Sequence, residues 1–461
     1  MNGELNCDLN GKMTAVRNAG RNAPPSIDTI ADSSAEAGTT VSTARAELTL
    51  LIPGLAGPDA IGRGSSMADS LQAARALTEA MELPGLSALL EYARDEPGAF
   101  ESPTADGLLA EAFSMARDAD GQWSAAAVVR EGALGDAQDR HWIRADPIHL
   151  RADMGRLLVF PPATLDLDLD ESSAICEWLN SHEHFPGPRL DAISGTCWLA
   201  EVDAQVQEMR TFAPSVVHGQ HADQFLPAGE GAARWHARMN EIQMLLNQCP
   251  INQAREARGE AAVNSVWFWG AGALPSHCLS PSPGLSPGLS PGSSPDLSPA
   301  QQALTARRIV YTQVHGNHDL LAGLAACMGL RARALPADGA RWLSHDESVR
   351  GAHLLVLDDV QLAACGGDVG TWQLALHTLE QQWLQPLADA LHRGVWQRIT
   401  IHIGRGAGVQ IRRPGLLRWL RRRRGLAQVL ARMRHSQAQS EMSHPDRGQD
   451  GAHAPNTGQR A

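Results

Sequence analysis

The sequence predicts an α/β protein with a mostly parallel sheet flanked by helices. Three observations carry this. The runs Glu47–Ile52, Leu354–Asp358 and Arg398–Ile403 are almost continuously apolar, as strands buried on both faces are. Segments with helical spacing of apolar residues alternate with those runs. The first and last of the runs stop at turn residues, Pro53-Gly54 and Gly404-Arg-Gly-Ala-Gly408.

Taken in order, residues 1–46 are rich in Asn, Ser, Thr, Ala and Gly, without apolar patterning, and read as a disordered tail. The fold is expected to begin at Glu47, with a short buried strand running into a turn. Ser66–Ala80 and Leu83–Arg94 carry helical signals, the second with Leu86, Leu89 and Leu90 on one face behind Pro84. Asp170–Asn180 reads as a helix whose first-turn acids favour its N-terminus through the dipole. Gly231–Asn247 is the clearest helix, with Trp235, Met239, Ile242 and Leu246 forming one core-facing stripe that Pro250 ends. Residues 276–302 nearly repeat Pro-Gly-Leu-Ser, which cannot build a core and reads as a low-complexity insertion. Such an insertion costs little closure entropy, so 47–435 is expected to be a single domain around it. Arg308–Val314 then reads as a strand, His318–Met328 as a helix and Trp372–Leu391 as a long amphipathic helix. Residues 436–461 read as a second disordered tail.

A chain of 461 residues, 43% apolar, can bury a large core. Its net charge of −12 argues against general nucleic-acid binding, and specific nucleic-acid binding is not expected. The charge is uneven. Arg405 to Arg434 holds ten arginines and no acid, which leaves the rest of the chain near −22. Seven scattered cysteines, never spaced Cys-X-X-Cys, suit neither a disulfide framework nor a zinc ribbon, so a reducing, cytoplasmic setting is expected. No run approaches the ~18 apolar residues of a membrane span, and no secretory signal is visible.

The most informative segment is Cys249-Pro-Ile-Asn-Gln-Ala-Arg-Glu-Ala-Arg-Gly259 followed by Val263-Asn-Ser-Val-Trp-Phe-Trp-Gly-Ala-Gly272. A strand Val266–Trp269 that stops at a Gly-X-Gly loop would offer bare N–H groups in the crevice beyond a sheet edge. Arginine beside it suits a carboxylate or phosphate. The competing reading is a helix cap, a surface loop and a buried Trp-rich strand. Pro250, Asn252, Arg255, Gly259, Asn264, Trp269, Gly270, Gly272 and Pro275 resemble a helix-to-strand passage of the archaeal-type, cofactor-independent phosphoglycerate mutases. Trp142–Asp153, Arg156–Phe160 and Leu165–Glu171 are similar to a strand-turn-strand segment of the same family. The resemblance spans roughly 47–275 and 303–425, and points to its proteobacterial branch of regulatory proteins, the RpfE type. It implies an alkaline-phosphatase-like fold, reduced here, with tentative anion contacts at Arg144, Arg151, Asn252, Arg255, Arg258, Asn264, Gly270 and Gly272.

The resemblance also implies two divalent metals and a Ser or Thr nucleophile, because two adjacent cations stabilise the attacking and leaving oxygens of phosphoryl transfer. The chain departs from that pattern. Pro53-Gly54 stands where the family has Asp-Gly, and Cys365-Gly366 stands where a His is expected before Gly367-Asp368. Asp358 and Asp359 could supply one ligand position or serve as caps, and Ser65 and Ser66 are unsupported as nucleophiles. No metal site and no cofactor is therefore expected, with Mn or Mg needed only if the chain is an enzyme.

Two further groups have metal-like residue types. His315-Gly-Asn-His-Asp319 reproduces an element of calcineurin-like metallophosphatases, but a strand-to-helix turn with an N-cap explains it. His141, Asp146, His149 and Asp153 lie in a strand-turn element whose alternation scatters them to opposite faces. At the other end, Arg412–Arg434 interleaves leucines with arginines. It could dock on the acidic body of its own chain, lie on anionic lipid, touch nucleic-acid phosphates or meet a protein partner. The expected function is a non-catalytic or degenerate mutase-like regulatory protein that binds a small phosphorylated or carboxylated metabolite. The alternatives are a metal-dependent mutase or phosphatase with relocated ligands, and an interaction module working through the Arg-rich helix.

Overall fold

The computed structural model describes residues 46–58, 66–96, 100–115, 117, 122–279, 311–344, 351–412 and 423–443. Residues 1–45 of the expected tail 1–46, most of the insertion 276–302 and Arg413 to Arg422 lie outside these. Twelve strands are described: β1 (Glu47–Leu51), β2 (Arg94–Asp95), β3 (His141–Asp153), β4 (Arg156–Phe160), β5 (Leu190–Ala192), β6 (Trp198–Val202), β7 (Ser265–Ala273), β8 (Gln313–His315), β9 (Ala332–Arg333), β10 (Ala352–Val356), β11 (Arg398–Gly404) and β12 (Ala407–Arg412).

They form an α/β fold with a mostly parallel central sheet in the order β2-β12-β11-β1-β10-β8-β9. β1 pairs in parallel with β10 on one side and β11 on the other. Only the β11–β12 and β12–β2 pairings are antiparallel. The apolar runs alternate between two clusters as the pleat requires. Leu48, Leu50, Ile399, Ile401, Val409 and Leu355 enter one cluster, and Leu51, Leu354 and Val356 the other. Helices Met67–Thr78, Pro84–Leu90, Val369–Leu379, Gln385–Arg393 and Leu426–Ser443 supply the first cluster. Helices Ala105–Ala112, Ala125–Leu134 and Asp319–Cys327 supply the second.

A second, antiparallel sheet is inserted between β2 and β8, which the sequence reading did not foresee. Its order is β4-β3-β6-β5, with β7 also paired to β3. Helices Leu169–Ser181 and Ala232–Leu246 join its core through Ile175, Leu179, Trp235, Met239 and Ile242. The strand read as Val266–Trp269 does not end at its glycines. β7 runs through Gly270 and Gly272 to Ala273 and is antiparallel to β3. A Cβ at Gly270 would lie 2.8 Å from Ala125 Cβ, and one at Gly272 would lie 2.3 Å from Ser124 Oγ. These glycines let the start of helix Ala125–Leu134 approach the strand, rather than opening a crevice.

Two further expectations are corrected. Cys278 and Cys327 form a disulfide, although the scattered cysteines suggested no such pairing. Three-dimensional proximity across a separation of 49 residues leaves no spacing signature to read. The last helix continues to Ser443, into the stretch read as a tail. It docks on its own chain: Val429, Leu430 and Met433 are buried, Arg423 pairs with Glu91, and Arg424 and Arg432 flank Asp95. Buried Arg434 donates to the carbonyls of Ala56 and Pro58. Among the described residues no helix is long and apolar enough to cross a membrane.

His402 in β11 is 4% exposed and stacks on Phe100 with ring centres 4.1 Å apart. Burial lowers its pKa to about 4. Its neutral form therefore supports the fold fully above the ordinary imidazole value near 6.5, and that support is lost as pH falls toward 4. Chemical denaturation across pH 7 to 4 should show His402→Leu losing less stability than the unsubstituted chain, by on the order of 3 kcal/mol. Parallel curves would contradict this.

Candidate functional site

The parallel strands end along one edge, which is where ligands sit in open α/β folds. β8 runs out into Gly316-Asn317-His318-Asp319, and β10 into Leu357-Asp358-Asp359. Helix Asp319–Cys327 begins there with His318 as its N-cap, the Nδ1 accepting from the Leu320 N–H at 3.3 Å. Facing this edge are Arg144 and Asp146 of β3, Trp269 of β7, Thr196, Ser215 and His218. Together they line a cleft of about 310 Å³, with Pro161, Pro162, Pro214 and Leu362 as apolar wall.

The polar groups are closely paired. Arg144, 4% exposed, donates through Nε to both Asp146 carboxylate oxygens at 3.0 Å. Its Nη2 lies 3.5 Å from Asp319 Oδ2, and its guanidinium carbon stands 4.9 Å from the centre of the Trp269 ring. Asp146 also accepts from Trp269 Nε1 at 2.6 Å. Asp319 accepts from Ser194 Oγ at 3.0 Å and from Thr196 Oγ1 at 2.8 Å. Asp106 accepts from Ser215 Oγ, and its other oxygen lies 3.5 Å from His318 Nε2. Asn317 accepts from the Leu335 N–H, and Gln361 from the Ala105 N–H.

Burial pushes Asp146 up to about 6, with Arg144 pulling it back. Asp359 is raised by burial and then by its neighbour Asp358. Burial lowers His218 and holds the Cys197 thiol well above its usual value. At neutral pH the Asp146–Arg144 pair is thus an ion pair, and Cys197 a neutral thiol. Ser215, Asp106 and His318 make a chain, but the hydroxyl donates to the carboxylate. In a Ser-His-Asp relay the imidazole must receive it, so this is a different arrangement.

The donor set does not fit a pair of divalent metals. Asp146, Asp319 and Asp106 have their oxygens committed to a guanidinium, an indole N–H and three hydroxyls. The position after β1, where a ligand would be needed, is filled by buried Pro53 and by Gly54. A Cβ on Gly54 would come within 2.9 Å of Ala364 Cβ and of Gln361 Cα, so helix Asp359–Cys365 closes that position. Among the described residues no group of three or more His, Cys, Asp or Glu side chains is arranged to hold a metal.

Of the eight tentative contacts, Arg144 alone lines this cleft. The others stand elsewhere. Asn252 joins Leu246 to both backbone groups of Val263, and Asn264 exchanges two bonds with the backbone of Leu150. Arg255, 1% exposed, binds Glu171 and the carbonyls of Ala261 and Leu165. Arg258 pairs with Glu171 and Glu260. Arg151 lies over the Phe160 ring at 4.5 Å. Conversely, the Gly-Asn-His-Asp element and Asp146, read as a turn and a scattered set, contribute Asn317, His318, Asp319 and Asp146 to the cleft. His149 bonds the Ala262 carbonyl and Asp153 is exposed, and neither joins Asp146 in the cleft. The strand-end position of 315–319 and 358–359 was the signal that could have located the cleft.

No protein-family model matches the chain. A stretch of 67 residues is 39% identical to a probable 2,3-bisphosphoglycerate-independent phosphoglycerate mutase from Geobacter sulfurreducens, covering 14% of this chain and 17% of that protein's length. A solved structure from Pyrococcus horikoshii aligns over 86% of this chain and 98% of its own, at 12% identity and a TM-score of 0.40. The cofactor-independent phosphoglycerate mutase from Thermoplasma acidophilum aligns over 87% and 99%, at 13% identity and a TM-score of 0.37. The chain is thus similar in part to phosphoglycerate-mutase-like proteins.

Arg255→Met should lower the urea midpoint, at a cost of roughly 1–3 kcal/mol, because it takes the donor from the Leu165 and Ala261 carbonyls and leaves Glu171 with Arg258 alone. A change below about 1 kcal/mol would show that the buried guanidinium is not structural.

Proposed function

We propose that this chain is a phosphoglycerate-mutase-like protein of alkaline-phosphatase-like architecture that has no two-metal phosphoryl-transfer centre. It acts as a degenerate, ligand-binding relative with a regulatory role, of the RpfE type. The observation that carries this is the commitment of the cleft acids to Arg144 and to hydroxyl and indole donors, beside the closed position at Pro53-Gly54. Phosphoryl transfer of the mutase kind needs two cations on free carboxylate or imidazole ligands; here three of the five cleft acids are committed to other donors and the end of β1 carries no acid. The identity with the Geobacter mutase supports kinship in one stretch of the chain.

The ligand is a small metabolite held in the cleft, with Arg144 as the fixed positive charge. Five acids lie around the cleft against that one arginine, so a carboxylated ligand of low charge is favoured over a highly charged phosphate ester.

Incubation with 3-phosphoglycerate and manganese should give no turnover that a chelator abolishes. Thermal melting with millimolar glycerate or phosphoglycerates should show a shift of a few degrees for the lower-charge carboxylate. Chelator-sensitive turnover would overturn this reading and establish the metal-dependent enzyme. An unmoved melting temperature with every carboxylate tried would remove the ligand role.

A further inference from the structure

The acids of the cleft are the residue types that hold divalent cations, yet two of them, Asp146 and Asp319, flank a guanidinium. We propose that Arg144 is the resident cation of the cleft: it fills the place a divalent ion would take and thereby denies the carboxylates to metals. This rests on the reading above and supplies its physical cause.

The geometry points to it directly. Arg144 Nε engages both oxygens of Asp146 at 3.0 Å, and Nη2 faces Asp319 at 3.5 Å. A divalent ion would need those same oxygens at about 2.0–2.6 Å. Both cations cannot use one pair of carboxylates, because they compete for the same lone pairs and repel each other. The side chain is locked by the Trp269 ring on its face and by near-complete burial. Unlike lysine, arginine cannot leave the contest by losing its proton. A guanidinium also cannot act as a Lewis acid on a phosphoryl oxygen, so the exchange puts one positive charge where a divalent ion would bring two and forgoes the chemistry.

Removing the guanidinium while leaving its carboxylates should open a cation site. The test uses the full chain and Mn²⁺ alone as the probe, with bound ion followed by electron paramagnetic resonance. Arg144→Met is expected to gain one Mn²⁺ site at least tenfold tighter than anything in the unsubstituted protein. Adding Asp319→Asn to it should abolish the gain. In the otherwise unsubstituted chain, Asp319→Asn should leave Mn²⁺ uptake unchanged, which decides the matter even if Arg144→Met fails to fold. The proposal is overturned if folded Arg144→Met takes up Mn²⁺ no better than its parent, or if parental uptake is lost on Asp319→Asn. The first of these outcomes, with no parental turnover, leaves the proposed function standing. Chelator-sensitive turnover by the parent removes both.

Discussion

A buried guanidinium joins the two halves of this molecule. Arg144 belongs to the antiparallel sheet, and Asp319 opens the helix that follows β8 of the parallel sheet. Asp146 completes the triad from the strand that carries Arg144, and Trp269 from the neighbouring strand both caps the carboxylate and covers the cation. Each charge is costly to bury alone, and stripping one partner from such a cluster typically costs about 3–5 kcal/mol. The triad therefore fixes where the charged groups of the cleft stand relative to one another. Cohesion between the sheets comes mainly from the shared apolar core, in which Val314, Leu354 and Val356 cluster with Ile143, Ala145 and Phe268.

That dependence shapes the chemistry open to the cleft. Carboxylates already serving as acceptors for Arg144, Ser194, Thr196, Ser215 and Trp269 are poor candidates for a metal pair. The closed turn at Pro53-Gly54 acts in the same direction from the opposite strand, because helix Asp359–Cys365 packs where another side chain would have to stand. What the cleft presents is a partly apolar wall, one fixed positive charge and a surplus of acids.

Much of the parallel sheet was legible in the sequence because its strands are buried on both faces and read as unbroken apolar runs. The stripe Trp235, Met239, Ile242 and Leu246 located its helix for a related reason, as a 3.6-residue repeat is hard to mistake. The antiparallel sheet was not legible as a separate layer. Its long strand β3 mixes His, Arg and Asp with apolar residues, and its partners β6 and β7 are distant in sequence. The candidate site was harder still. Asn252, Arg255 and Asn264 drew attention by residue type, yet their side chains bond backbone and Glu171 within the frame. Asn317, His318 and Asp319 were read as a helix start, which His318 is. A local pattern shows a cap, but only the sheet order shows that this cap lies beside Asp146 and Arg144. Pro53 could be read without the fold in one respect, since a proline side chain carries no metal-ligating atom.

An arginine stands at the charged centre of the cleft, against Asp146 and Asp319. Diffraction from crystals soaked in manganese chloride, recorded at the manganese absorption edge, tests it most directly. The account predicts ordered guanidinium density between Asp146 and Asp319 and no anomalous peak within the cleft. Two anomalous peaks a few ångströms apart at the ends of β1, β8 and β10, with Arg144 turned away, would contradict it.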